Sequence, residues 1–190
     1  MSEILAKTEN IVKKAKSQGA EEVIAKTTFG RYRQARFSNN QVDTTLAWND
    51  YVTDIVVAWK KRLVATQIHK FEEADASLKQ LIKLAKVSQE NPMFGGFAKD
   101  SFHYPQSKAD KKLANLENPT EYVFEAVEAA NKEANAKLET GGILFTKFED
   151  VFIASSEGPA GTDSRSAIEL SIRAFSQKEA SGHGVECSSS

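Results

Sequence analysis

The sequence contains the same order of predicted elements twice. A helical stretch that ends at Gly19 is followed by extended, aromatic-rich segments through Trp59. A second helical stretch ends near Gly141 and is followed by similar segments through Phe175, an offset of about 118 residues. Since a repeated unit buries its apolar face the same way each time, the pattern predicts an α+β fold. We expect two similar α-then-antiparallel-β units, with the helices packed on a curved antiparallel sheet.

Within each copy, a charged link and a turn separate the predicted strands. The link is Gly30-Arg31 in the first copy and Glu149-Asp150 in the second. The turn is Ser38-Asn39-Asn40 in the first copy and residues 157–161 in the second. Because Asn and Gly tolerate positive φ, both turns favour hairpins. The pattern therefore predicts short strands on either side of each link, followed by a hairpin to a final strand that ends in an aromatic residue.

The repeat also defines the expected domain organisation. Residues 1–177 form one predicted domain, with copies at 1–90 and 118–177. Periodicity is lost between them, so residues 91–117 are interpreted as a connector, and a connector of this length is usually functional or mobile. Residues 178–190 are rich in Ser and Gly and end without a cap or stop signal. We interpret them as a flexible tail that leads to a missing carboxy-terminal domain.

Charge and composition argue against several functional classes. Lys and Arg number 25 against 26 Asp and Glu, which leaves a formal net charge of −1. No global field therefore attracts nucleic acid or anionic lipid. The longest apolar run, residues 55–59, is too short to span a bilayer, and the amino terminus lacks the pattern of a secretion signal. With Cys187 as the single cysteine, no intrachain disulfide can form, and we expect a cytoplasmic protein without a membrane partner.

One group of potential metal ligands lies near the carboxy terminus: Glu179, His183, Glu186 and Cys187. On a helix, His183 and Cys187 would share a face with Glu186 beside them, a spacing that zinc could use. However, Gly182 and Gly184 flank the histidine and disfavour a helix. A solvent-exposed turn is the preferred interpretation, and a zinc site at these residues is the alternative.

Other chemical signatures are weak. His69 and His103 are isolated in the sequence, and the chain has neither a Gly-x-Ser-x-Gly elbow nor a phosphate-binding glycine loop. We therefore assign no catalytic, cofactor-binding or metal-binding residue. Strand alternation places Arg31 and Arg33 on one face and Arg36 on the other, with Tyr32, unless a bulge intervenes. A solvated sheet face is favoured over a phosphate or acidic-peptide site, and nucleic acid is an unfavoured partner.

Several segments together resemble the amino-terminal domain of the TldD/PmbA family, the candidate modulators of DNA gyrase that include cytosolic metalloproteases acting on peptides such as microcin precursors. The resemblance spans nearly the whole chain. It rests on residues 4–19 followed by Ala20-Glu21-Glu22-Val23, on Phe37-Ser38-Asn39-Asn40-Gln41-Val42, on Leu63-Val64-Ala65-Thr66, and on Val151-Phe152-Ile153-Ala154-Ser155-Ser156-Glu157-Gly158 leading to residues 168–175.

The resemblance implies that activity resides elsewhere. Family members are more than twice this length, and the His-Glu-x-x-x-His zinc helix of the active TldD-like partner would lie beyond Ser190. Residues 178–184 look like that motif with Lys178 in place of the first histidine, but they follow directly after the last strand of the second copy. A protonated lysine cannot serve as the missing ligand. The chain therefore resembles the PmbA-like (TldE) kind of member, which lacks its own zinc motif.

Three functional hypotheses follow. The leading one is a non-catalytic platform domain that contributes to subunit assembly and binds unfolded peptide by strand addition, without a cofactor of its own. Its expected partners are an unfolded peptide and a second subunit, as a homodimer or a heterodimer with a TldD-like protein. The second is part of an active zinc metallopeptidase whose motif lies beyond residue 190. The third is a nucleic-acid-binding or gyrase-modulating module that uses Arg31, Arg33 and Arg36.

Overall fold

The structure is a computed structural model that describes residues 2–100, 105, 107–176 and 180–189. The first half contains helix α1 (Ser2–Ser17), strands β1 (Glu22–Ser38), β2 (Gln41–Trp59) and β3 (Arg62–Ile68), a short 3₁₀ turn (Phe71–Glu73) and helix α2 (Ala74–Val87). The second half contains helices α3 (Lys111–Ala114) and α4 (Thr120–Ala134) and strands β4 (Glu139–Ser155), β5 (Ala160–Phe175) and β6 (Ser181–Ser189). The succession α-β-β-β therefore occurs twice, as α1-β1-β2-β3 and as α4-β4-β5-β6, with the 3₁₀ turn, α2 and α3 between the two.

The six strands form one antiparallel sheet in the order β3-β2-β1-β4-β5-β6. The first strands of the two copies, β1 and β4, are neighbours, and each copy continues outward from them. The predicted α+β class is confirmed. The second strands of the copies end at Trp59 and Phe175, the aromatic residues at which the sequence predicts them to end.

The structure differs from the sequence prediction at the charged links. β1 continues through Gly30-Arg31 and β4 continues through Glu149-Asp150, so each link lies inside one long strand. The prediction treats charged residues as exposed breaks, but Glu149 and Asp150 are buried, at 7% and 9% exposure. Side chains on other strands satisfy the Glu149 carboxylate, and a local pattern cannot reveal such partners.

Residues 181–189, predicted as part of a flexible tail, form β6. The strand is antiparallel to β5 in a register that runs from Ala167 opposite Ser189 to Phe175 opposite Ser181. All nine residues are exposed, so composition alone gives no sign of this strand. Backbone pairing with β5 accounts for it, because a ladder of hydrogen bonds requires no apolar side chains. Of the other residues in the predicted tail, Ala180 precedes the strand, and residues 178, 179 and 190 lie outside the described residues.

The chain divides into two units that do not coincide with the two copies. Unit 1 comprises Met1–Phe29, Asp50–Gln106 and Asp150–Asp163, and unit 2 comprises Gly30–Asn49, Ser107–Glu149 and Ser164–Ser190. The long strands pass from one unit to the other. In β1 and β4 they do so at Phe29/Gly30 and at Glu149/Asp150, the positions of the predicted links. Each unit therefore contains strand segments from both copies.

In unit 1, α1 and α2 bury their apolar stripes against one face of the strands. The side chains with the least exposure in this core include Ala15, Val23, Ile55, Val57 and Leu78. Three buried hydroxyl groups continue the contact between helix and sheet. Thr8 Oγ1 lies 2.8 Å from Thr27 Oγ1, which lies 3.0 Å from Thr53 Oγ1. The chain of hydroxyls satisfies these polar groups within the core.

In unit 2, α4 covers a smaller core. Val123 and Val127 of α4 pack with Ala35, Phe37 and Leu144. The helix begins at Thr120, whose N–H donates to Asn118 Oδ1 at 3.1 Å just before the first turn. Within residues 91–117, the predicted connector, the described part contains α3 and no strand. None of the described helices is both long and apolar enough to cross a membrane.

Candidate functional site

Three aromatic rings from three strands lie together on the sheet of unit 2. Tyr32 of β1 stacks with Trp48 of β2 at a centroid distance of 5.4 Å and with Phe145 of β4 at 6.1 Å. Trp48 and Phe145 are 6.0 Å apart. Because neighbouring Leu144 packs in the core beneath α4, strand alternation places Phe145 on the side of the sheet opposite α4. We call these three residues the aromatic face.

Gly30 makes room for the Tyr32 ring. The two residues are two positions apart on β1, so they point to the same side of the strand. A Cβ atom at position 30 would overlap the Tyr32 ring and hydroxyl. A ring lying across a glycine covers backbone that would otherwise lack side-chain packing. Gly30 therefore leaves the space that the Tyr32 ring occupies. This close packing explains why a glycine lies within a long strand.

Beside the aromatic face, two donors hold the Glu149 carboxylate. The Tyr32 hydroxyl donates to Oε1 at 2.8 Å, and Arg165 Nε donates to Oε2. Lys147 Nζ lies 3.9 Å from Oε2. Two strands and two kinds of donor therefore fix a carboxylate that is 7% exposed.

These contacts control the ionisation of Glu149. Burial favours the neutral acid, but hydrogen bonds from Tyr32 and Arg165 and the charges of Arg165 and Lys147 outweigh it, so the pKa of Glu149 lies below its ordinary value. A carboxylate with a lowered pKa and both oxygens engaged is a weak proton acceptor. The arrangement consequently favours a structural or binding role over general acid–base catalysis.

A cavity of about 400 Å³ adjoins this cluster in unit 2. Its lining combines an aromatic edge with cationic, acidic and small polar side chains, contributed by Phe145, Lys147, Arg165, Ser166, Ala167, Glu169, Cys187 and Ser189. Flat apolar rings beside mixed charges can accept side chains of many types, which is a property of adaptable peptide-binding surfaces.

The structure separates the predicted zinc ligands. His183, Glu186 and Cys187 lie on β6, where alternation places Glu186 on the face opposite the other two. On a strand, His183 and Cys187 are about 13 Å apart along the backbone, too far to share one ion. His183 Nε2 instead lies 3.0 Å from Ser171 Oγ, and the described residues contain no cluster of three or more His, Cys, Asp or Glu side chains suited to a metal. Glu179 lies outside the described residues.

The three arginines do not form one row. Arg31 lies over the Phe148 ring at 4.9 Å, and an Arg33 side-chain N–H donates to the Tyr32 carbonyl at 2.8 Å. Both are half-buried, whereas Arg36 is exposed. Because β1 is continuous over these residues, Arg31 and Arg33 share one face and Arg36 lies on the other, as the sequence predicts.

His69, the other described histidine, lies beside an aspartate. His69 Nδ1 lies 3.7 Å from Asp50 Oδ1 in unit 1, at the protein surface. His103 lies outside the described residues.

Sequence reasoning missed the role of Glu149 because its partners are distant in sequence. The Gly-x-Tyr pattern at residues 30–32 is the local signal that could have indicated an aromatic ring placed across a strand.

Comparison with known proteins identifies the fold. No family model matches the sequence, and no curated protein matches it. Among solved structures, TldE from Thermococcus kodakarensis matches with a TM-score of 0.75 and 14% identity over 96% of this chain. The chain has the TldE fold.

Two further structures support the same fold. A candidate modulator of DNA gyrase from Bacteroides thetaiotaomicron matches with a TM-score of 0.74, at 14% identity and over 100% of this chain. A second candidate modulator, from Thermotoga maritima, matches with a TM-score of 0.67 at 15% identity over 96% of this chain. The chain spans 42%, 45% and 42% of the three solved chains, less than half of each. The resemblance to the TldD/PmbA family is confirmed at the level of the fold.

Proposed function

We propose that this chain acts as a non-catalytic platform domain of a TldD/PmbA-type cytoplasmic protein, where it binds unfolded peptide and contributes to subunit assembly. The observation that carries the proposal is the aromatic face beside the fixed Glu149 carboxylate. It offers a binding surface, while its one buried carboxylate is held in a form poorly suited to proton transfer.

The chemistry of the aromatic face fits an unfolded chain better than a small metabolite. Trp48 is 39% exposed and stacks on a ring that is itself fixed, so its accessible side can contact apolar side chains without a large entropy cost. Lys147, Arg165 and Glu169 surround the adjoining cavity and offer charge partners of both signs. Such a surface does not demand one sequence, which is what a protein acting on unfolded segments needs.

The proposed partners follow from the fold. One solved neighbour is named TldE, and the chain covers less than half of that protein. By resemblance, we propose that the domain belongs to a homodimer or to a heterodimer with a TldD-like subunit, and that zinc and catalysis are supplied by the TldD-like subunit. The described residues of this chain do not fit a zinc site.

Binding of fluorescein-labelled casein, an unfolded protein, tests the proposal. Fluorescence anisotropy should show saturable binding to the chain, with no release of labelled fragments. Trp48→Ala and Phe145→Ala should each weaken binding by about three- to tenfold, because each removes stacked aromatic area. Phe124→Ala is the matched control, since Phe124 is an exposed aromatic residue on α4. Absence of binding, or equal weakening by the control, would contradict the proposal.

A further inference from the structure

The amino-terminal half of β2 has an uncovered edge. β3 pairs with β2 only from Thr53 to Trp59, and β1 occupies the other side of β2. Within unit 2, residues 41–49 of β2 therefore have no strand on their outer side among the described residues. Backbone N–H and C=O groups along such an edge are suited to pairing with another extended chain.

In the second copy, the chain itself contacts the corresponding part of β5. β6 pairs with β5 from Ala167 onward, which leaves the preceding residues of β5 beyond its reach. There the connector approaches β5: Ser107 Oγ donates to the Ser164 carbonyl, and the Asp110 N–H donates to Ser166 Oγ at 2.8 Å. An irregular segment of polypeptide therefore lies against this part of β5.

The composition of residues 41–49 is that of an edge strand with little protection against pairing. The segment contains no Lys, Arg or Pro, the residues that commonly protect a free edge from pairing. Its one charged residue, Asp43, accepts a hydrogen bond from Ser38 Oγ at 2.7 Å. Leu46 is 47% exposed and Trp48 is 39% exposed. The edge therefore combines backbone pairing groups with apolar side chains and little charge.

We propose that residues 41–49 of β2 bind an unfolded peptide by strand addition, with alternate apolar side chains of the peptide resting against Trp48. This inference rests on the proposed function and locates its peptide site. Backbone hydrogen bonds supply affinity that is independent of sequence, whereas Trp48, which also belongs to the aromatic face, favours apolar side chains. The preferred ligand is an extended, weakly charged peptide with apolar residues at every second position.

A pair of synthetic peptides tests the proposal on the unchanged protein. The probe is fluorescein-labelled Lys-Thr-Val-Thr-Val-Thr-Val-Thr-Lys, and its control carries N-methyl groups on the amides of the central residues. N-methylation removes the backbone donors and separates paired backbones, so the control should bind at least about tenfold more weakly. Equal affinity of the two peptides would overturn strand addition.

Hydrogen exchange locates the site. With saturating probe peptide, amides within residues 41–49 should exchange more slowly, and protection confined to β4 or β6 would overturn the assignment. Thr45→Pro should weaken binding of the probe, whereas Thr162→Pro, the matched change on β5, should leave it unchanged. Circular dichroism checks that both variants fold. If Thr45→Pro does not fold, the comparison with the N-methylated peptide on the unchanged protein decides the question.

The outcomes separate this inference from the proposed function. If neither casein nor the probe peptide binds, both proposals fail. If both ligands bind but N-methylation has no effect, the platform function stands and the edge site is wrong. Sedimentation as a dimer that Thr45→Pro abolishes would show that a second copy occupies the edge, which also overturns the peptide assignment.

Discussion

At the scale of single residues, Glu149 shows how a charged side chain can occupy the interior of a long strand. Its carboxylate accepts hydrogen bonds from Tyr32 on β1 and Arg165 on β5. Tyr32 can reach it because Gly30 leaves space for the ring. Glu149, Tyr32 and Arg165 are separate in sequence, and their hydrogen bonds form one network that satisfies the buried charge.

Glu149→Gln should lower stability in a pH-dependent way. The folded-state pKa of Glu149 lies below the ordinary value of 4.5, so its ionised form stabilises the fold above that value. This contribution is lost as pH falls through the folded pKa. At pH 7 the substitution should cost about 1.5–3 kcal/mol, typical of hydrogen bonds to a charged group. In urea unfolding, the difference in unfolding free energy between this variant and the wild type should become smaller below about pH 4.5.

The control for this prediction is Glu169→Gln, because Glu169 is an exposed carboxylate in the same unit. Its cost should be small at every pH. If the loss of unfolding free energy caused by Glu149→Gln stays constant down to pH 3, the ionised form of the Glu149 carboxylate does not stabilise the fold.

Two turn residues form reciprocal clamps between the copies. In unit 2, Asn40 of the first copy holds Thr140 of β4: its Oδ1 accepts the Thr140 N–H at 2.9 Å and the Thr140 hydroxyl at 2.7 Å. In unit 1, Ser156 of the second copy holds Val23 of β1, whose N–H donates to Ser156 Oγ at 2.9 Å. Val23 and Thr140 are each the second residue of their strands. The clamps explain two of the motifs on which the family resemblance rests.

Asn40→Gly should destabilise the protein by about 2 kcal/mol, the sum of several neutral hydrogen bonds. Glycine accommodates the positive φ of 64° at this position, so the loss reports the amide group and not backbone strain. Asn39→Gly is the control, because Asn39 also has positive φ, at 48°, and is exposed. Thermal unfolding of both variants measures the difference, and equal effects would argue against the clamp.

At the scale of elements, sequence patterns predicted the repeated order, the hairpin at Asn39-Asn40 and the ends of β2 and β5. They did not predict that β1 and β4 are continuous, because Arg31 and Glu149 gain their partners from distant strands. They also did not predict β6, whose side chains are all exposed and whose pairing depends on β5. The aromatic face was missed for the same reason, since Tyr32, Trp48 and Phe145 meet only in the folded sheet.

β6 should be the least protected strand of the sheet. It buries no side chain, contains Gly182 and Gly184, and pairs with a strand on one side only. Few buried contacts mean that local opening costs little free energy. In hydrogen exchange of the free protein, β6 amides should exchange before those of β4, and limited proteolysis should cleave within residues 181–189 first. A β6 that is as protected as β4 would contradict this prediction.

At the scale of the whole chain, we expect no peptidase activity from residues 1–190 with or without added zinc. His183 and Cys187 are separated along β6, and the buried Glu149 is fixed by Tyr32 and Arg165. A casein cleavage assay with zinc titration provides the measurement. Zinc-dependent turnover that His183→Ala or Glu179→Gln abolishes would contradict the prediction, and Cys187→Ser tests the remaining candidate ligand.

The reciprocal clamps have a consequence for the origin of the fold. Residues 1–90 alone would retain β1 but lose Ser156, the residue that holds Val23, and β4, the neighbour of β1. Two such fragments could pair through β1 and restore the same strand order as a symmetric assembly. Fusion of two such subunits, joined by residues 91–117, would produce the repeated order of elements and the neighbouring β1 and β4 of this chain. Expressed separately, residues 1–90 should sediment as a dimer and not as a monomer.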